Sequence, residues 1–433
     1  MELPKRRTCY NVRLFCFLLT LSAPIMSKSK RPAPAKASTP ALSQSLGADP
    51  GEYELDEALV DKIANLAVEL ATEDEASPDL PNKQRDLRRM VAKSLRQQQD
   101  DVLYEALERA RDQEADAYPY LREMTEEAAE IVFFTRNERS YEVNAFVIPM
   151  FVRTSGGLDA EQNFRDADAF TELTASLKEA QLESADAKVV LVSYAYHLDE
   201  IDAITYSHLE AMVRDAYAAM TDKKLTSTPA IDRSMSSWPA NRFGAEDTAV
   251  ELRFLLGFTL KTADDAFYTI PQDEAAMDAY FAVRAQRFQA WSEKVVPLVQ
   301  RCLVTDGREF DVHFLYQDLF HGGKERGIAE YFMLQMMSEL DHGLQQSGVT
   351  GAQTRAVMGP VHADGDAVLR VNLYGDGDAI VATAEKPLEA VRDLQVELDD
   401  TCDALLTLGV KSVALAEAFD ADGNSVNVRP YAS

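Results

Sequence analysis

The strongest constraint on this chain is a recurrence. An apolar, aromatic strand pattern, YEVNAFVIPMFVRT from Tyr141, leads into a helical segment from Asp166 to Leu182. A second strand, AKVVLVSYAYHLDE, and a helix, TYSHLEAMVRDAYAAM, follow. The order then repeats. The strand AVELRFLLGFTLKTA from Ala249 is followed by a long helical run from Glu274 to Cys302, the strand REFDVHFLYQDLF, and the helix KERGIAEYFMLQMMSELDHGLQQ. Short apolar runs rich in β-branched and aromatic residues read as strands, and apolar residues at a 3.6-residue period read as amphipathic helices. Two successive strand–helix–strand–helix units predict α/β layers with a mixed or antiparallel sheet, and the recurrence points to an internal duplication.

The flanking regions differ in character. From Leu55 to Phe134 the pattern is helical, with DEALVDKIANLAVELA placing Leu59, Ile63, Leu66 and Leu70 on one face, so a small helical domain or layer is expected. Near the carboxyl end, AVLRVNLY alternates and YGDGDAIVATA supplies a turn and a partner strand. The helix LEAVRDLQVELDDTCDALLTLGV stops near Gly409, and two short strands flank DADGN. The fold class is therefore α+β. The expected division is a disordered or mis-assigned extension over 1–50, a helical layer over 51–136, a first α/β unit over 137–247, and a second over 248–433 that ends in a hairpin and strands. Residues 221–247 form a long non-periodic loop containing Trp238.

Charge narrows the partners. There are 72 Asp and Glu against 44 Lys and Arg, a formal net charge of -28. Such a surface repels phosphate backbones, and no basic patch interrupts it in the body of the chain, so nucleic acid is excluded as an expected partner. The first 25 residues are the basic part and carry an apolar run from Leu14 to Leu21, too short to span a bilayer as a helix. They read either as an extension ahead of a start at Met26 or as an export signal, though Pro24 directly after Ala23 makes a poor cleavage site. No membrane partner is expected. The four cysteines, Cys9, Cys16, Cys302 and Cys402, contain no CxxC pair and imply no disulfide framework, which favours the cytoplasm.

Chemistry is the thinnest part of the reading. In HFLYQDLFHGGKERG, Gly322, Gly323 and Lys324 resemble a phosphate loop, but no Ser or Thr follows the lysine, and the spacing differs from GxxxxGK[ST]. What remains is a strand-to-helix turn with Lys324 and Arg326 on the first helical turn, where positive charge opposes the helix dipole. Either an anion sits there, on His321, Gly322, Gly323, Lys324 and Arg326, or nearby acids such as Glu325 neutralise the pair. The six histidines form no HxxH or HExxH, and the Asp–Gly clusters at Asp364, Asp376 and Asp420 fail the calcium-loop spacing, so neither a metal nor a cofactor is expected. No GxSxG or GxGxxG is present. Tyr194, Tyr196, Phe314 and Tyr316 end the second strand of each unit and line either a shared groove or a core.

Taken in order, YEVNAFVIPMFVRTSGG, AKVVLVSYAYHLDEID, ELRFLLGFTLKTADDAF and FLYQDLFHGGKERG make the chain resemble a family of uncharacterised proteobacterial proteins, whose domain of unknown function would cover residues 50–430. The resemblance brings no catalytic residues. The residues themselves favour a cytoplasmic binding or scaffold protein, with a partner protein or a small anionic ligand and a possible homodimer. An enzyme acting on an anionic small molecule and an exported protein are the alternatives.

Overall fold

The computed structural model describes residues 55–73, 77–154, 164, 166–221, 250–303, 310–363, 366–377, 379–388, 394–420 and 423–431. The expected loop around Trp238 and the acidic positions Asp364, Asp378 and Asp422 lie outside them. The chain forms two compact units, one of Asp56–Tyr331 and one containing Phe332–Ser433. The sequence pattern puts boundaries near 136 and 247; the reason for the difference lies in the sheet.

The first unit opens with four helices, α1 (Glu57–Thr72), α2 (Leu80–Arg96), α3 (Asp100–Gln113) and α4 (Ala117–Glu130). Their starts are written locally. The Asp56 side chain accepts the Leu59 N–H at 3.1 Å, and proline occupies the first turn of α2. Val60, Ile63, Ala64, Ala67 and Leu70 of α1 are buried; of the residues expected on the inner face, Ile63 and Leu70 are among them, while Leu59 and Leu66 are only half-buried.

The helical pattern expected to reach Phe134 ends at Glu130. Ile131–Arg136 is instead strand β1, which turns back through Asn137 and Glu138 into β2 (Arg139–Thr154). Both turn residues have positive φ, 50° and 63°, the conformation a two-residue hairpin needs. Ile131, Val132, Phe133 and Phe134 are β-branched or aromatic, and here the cross-strand partner outweighs the helical register.

The elements α5 (Ala167–Glu179), β3 (Lys188–His197), α6 (Leu198–Asp202), α7 (Tyr206–Thr221), β4 (Glu251–Thr262), α8 (Glu274–Leu303), β5 (Phe310–Phe314) and β6 (Asp318–Leu319) complete one sheet. β2 and β4 pair antiparallel through its centre. β3 pairs antiparallel with β4, and β5 and β6 pair antiparallel with β2. Each unit of the recurrence is thus a split β-α-β: its two strands run parallel and the other unit's first strand lies between them. The order β5-β2-β4-β3 is the ferredoxin-like arrangement. Two interleaved units cannot be separate domains, because each completes the other's sheet.

Because side chains alternate across a strand, β2 serves two layers. Phe146, Ile148, Met150 and Val152 point into a core with Leu173 and Leu177 of α5 and Phe288, Trp291 and Val295 of α8. α7 packs on β1, β2, β3 and β4 and also against α4 and α2. Asp100, at the start of α3, accepts the Ser207 N–H at 3.0 Å and the Thr205 hydroxyl at 2.9 Å, fastening the helical layer to the α7 amino end.

The second unit contains β7 (Arg355–Ala363), β8 (Asp366–Tyr374), β9 (Ile380–Pro387), α10 (Leu394–Thr407) and β10 (Val413–Leu415). β7, β8 and β9 form an antiparallel meander, and β10 returns parallel to β7. The predicted hairpin and the stop at Gly409, φ 91°, are both present. Strand β7 has no counterpart in the sequence reading because Gly359–Pro360 interrupts it. β10 pairs only with Ala356–Met358, so Pro360 lies beyond that ladder.

Candidate functional site

The segment from Phe320 to Ser347 is one helix, α9. His321, Gly322 and Gly323 therefore lie in its first turn and not in a loop. The reason is contact with the sheet. A Cβ on Gly323 would stand 2.6 Å from Val147 Cγ2, and one on Gly327 would stand 2.9 Å from Phe254 Cε1 and 3.0 Å from Pro149 Cβ. Glycines four residues apart let the helix backbone lie directly on β2 and β4.

A buried polar cluster surrounds this helix start. The His321 N–H donates to Glu130 Oε2 at 3.0 Å, and His321 Nδ1 stands 3.2 Å from the same oxygen. Glu130 ends α4, so its carboxylate occupies the place an anion takes at a helix amino end. The imidazole is enclosed by the rings of Phe320 and Tyr206, with centroids 5.2 and 5.5 Å away. Burial pushes its pKa down to about 4, against the pull of Glu126. The ring is accordingly neutral near pH 7, and burial also raises the Glu126 carboxyl.

The remaining charges of the segment have partners. Lys324 Nζ is 3.1 Å from Asp202 Oδ1. Glu325 pairs with Arg122, which also donates from Nε to Glu126 at 2.7 Å. Arg326 differs: its Nε is buried without a hydrogen-bond partner, and it makes no ion pair among the described residues.

The aromatic residues divide. Tyr194 and Tyr196 touch edge to face, with centroids 5.0 Å apart. The Tyr194 hydroxyl donates to Glu200 Oε1 at 2.6 Å, and Glu200 Oε2 accepts the His197 N–H at 2.8 Å, capping α6. Close by on β4, the Arg253 Nε donates to Glu251 at 2.9 Å. Burial and Arg253 lower the His197 pKa. Phe314 packs in the core against Trp291, while Tyr316 packs on Phe288 and accepts from Arg284 Nε at 2.9 Å. β3 and β5 are separated by β4 and β2, so the two aromatic pairs are not brought together.

Glu130, Glu126, Arg122 and Asp202 complete the helix-start cluster, and sequence reasoning missed them. Glu130 is 191 residues from His321, and Arg122 is 203 from Glu325. Isolated acids and bases on amphipathic helices carry no local signal of such partners. Among the described residues no group of three or more His, Cys, Asp or Glu is arranged to hold a metal ion, Cys302 and Cys402 are free and buried, and no helix is long and apolar enough to cross a membrane.

Fold and cluster together define an α+β protein in which a helical layer and a split β-α-β sheet meet over internally paired charges. The chain belongs to the family described as protein of unknown function (DUF2863), whose model matches residues 58–323. That match covers the helical layer, the whole first sheet and the start of α9. Neither a curated protein nor a solved structure matches the chain.

Proposed function

We propose that the protein works by binding, as a ligand-binding or scaffold protein, and not by catalysis. The observation that carries this reading is the internal pairing at the start of α9, where His321 is held by Glu130, Lys324 by Asp202 and Glu325 by Arg122. Polar groups poised for catalysis are commonly strained or under-partnered, and replacing them tends to stabilise the fold. These groups are placed as structural links. Lys324→Met and His321→Gln should therefore each lower the thermal midpoint. A raised midpoint in either variant would count against the reading.

Arg326 supports the second reading, an enzyme acting on a small anion, because its Nε has no partner. Titration with inorganic phosphate or pyrophosphate tests it: saturable binding lost in Arg326→Gln, with the fold intact, would favour that reading over the first. The free buried cysteines accord with a cytoplasmic location. The mass of the mature amino end separates this from export. Sedimentation at several concentrations tests the homodimer.

A further inference from the structure

On the opposite face of the sheet from α9, two registered pairs make a square. Glu142 of β2 stands opposite Lys261 of β4, and Asn144 stands opposite Thr259, two residues along on the same face. The first pair is an ion pair, Lys261 Nζ to Glu142 Oε1 at 3.3 Å. The second pair is unsatisfied: Asn144 Oδ1 and Thr259 Oγ1 are buried without hydrogen-bond partners, in residues only 9% and 3% exposed. Each such orphan gives up its hydration with nothing in return, and a Leu or Val at either position would avoid that cost. Polar side chains kept at that cost, facing each other across two strands, indicate a guest that pairs with them.

The chemistry of the square specifies the guest. β2 presents acceptors, the Glu142 carboxylate and Asn144 Oδ1. β4 presents donors, the Lys261 ammonium and the Thr259 hydroxyl. The complement is a molecule with a cationic donor and an anionic acceptor a few ångströms apart. One further residue flanks the square: Phe133 of β1, opposite Glu142 on the same face, is 60% exposed. It offers an apolar ring to a hydrocarbon group.

We propose that this face binds a free α-amino acid with an apolar side chain. Its ammonium lies on Glu142 and Asn144, its carboxylate on Lys261 and Thr259, and its side chain against Phe133. The Tyr268 ring, 3.7 Å from Lys261 Nζ, closes the site and is held by Glu183, which accepts the Tyr268 hydroxyl at 2.6 Å. Entry of the amino acid requires that ring to lift. This proposal rests on the binding reading above and supplies its ligand class.

Calorimetric titration of the full chain with L-leucine and L-phenylalanine tests it, with L-leucinamide and N-acetyl-L-leucine as probes that each lack one charge. The expected result is saturable binding of the zwitterions. Binding should weaken about tenfold or more in Thr259→Val and Asn144→Leu, and to a similar degree for either blocked probe, since hydrogen bonds to charged groups contribute that much. Both variants remove an orphan, so their thermal midpoints should not fall, which separates lost binding from lost folding. No binding up to about 10 mM, a level at which even weak sites fill, would overturn the proposal, as would equal binding by Thr259→Val. If binding fails while Lys324→Met still lowers the midpoint, this site is wrong and the structural assignment at α9 stands. If the amino acid binds and is turned over, the site stands and the non-catalytic reading falls.

Discussion

Replacing Gly327 by alanine sets two physical effects against each other. On helix propensity alone the change should stabilise, since Gly in a helix interior is about 0.8–1.0 kcal/mol worse than Ala. The structure argues the opposite. The added methyl would stand 2.9 Å from Phe254 Cε1 and 3.0 Å from Pro149 Cβ, closer than carbon atoms tolerate. Phe254 is fully buried on β4, and Pro149 is part of β2 opposite it, so neither neighbour retreats freely. Overpacking of this kind costs roughly 1–3 kcal/mol, so after the propensity gain the expected net loss is about 0–2 kcal/mol. For a unit of this size that lowers the thermal midpoint by up to roughly 8 °C. Circular dichroism melts of the variant and the parent measure it. Ala329→Gly in the same helix serves as the reference for propensity alone, with an expected loss of about 1 kcal/mol. A Gly327→Ala protein more stable than its parent would refute the close seating of α9 on the sheet.

Further outcomes follow from the same structure. His321 has its pKa depressed to about 4, against about 6.5 unfolded, so below pH 6.5 the unfolded chain binds the extra proton first. Its contribution is fully present above pH 6.5 and is lost as pH falls towards 4, on the order of 3 kcal/mol in all; a pH series of melts should show this slope, and His321→Gln should flatten it. In the second unit, Lys386→Met strips the buried Glu397 of its ammonium partner and should cost about 3 kcal/mol or more in urea titrations, whereas an unchanged midpoint would mean the pair contributes nothing. Asp100→Ala removes the acceptor for Ser207 and Thr205 and should cost about 1–2 kcal/mol, with hydrogen exchange rising first at the amino end of α7.

Much of the fold was legible in the chain because its signals are local. The helix spanning Glu274–Leu303 is written in its own spacing, and the two strand pairs of the recurrence in their apolar runs. β1 reads as helix in the sequence because IVFF satisfies either period until β2 is beside it. β7 was missed because Gly-Pro reads as a break until the short reach of β10 is known. At the candidate site, the glycines and charges around Lys324 were visible, but their purpose was not. Gly323 and Gly327 answer to Val147 and Phe254, far away in sequence.

By itself the sequence determined the class of elements, their order, the acidic surface and the lack of a familiar catalytic motif, since each depends on composition or on spacing within a few turns. Only the tertiary structure decided that the two recurring units share one sheet, with each unit's strands straddling one of the other's. It alone set Glu130 under His321, and Asn144 opposite Thr259. Strand pairing and helix seating depend on contacts between residues tens to hundreds of positions apart. Such partners leave no trace in local periodicity, because any acid on any amphipathic face looks the same until the fold selects its neighbour.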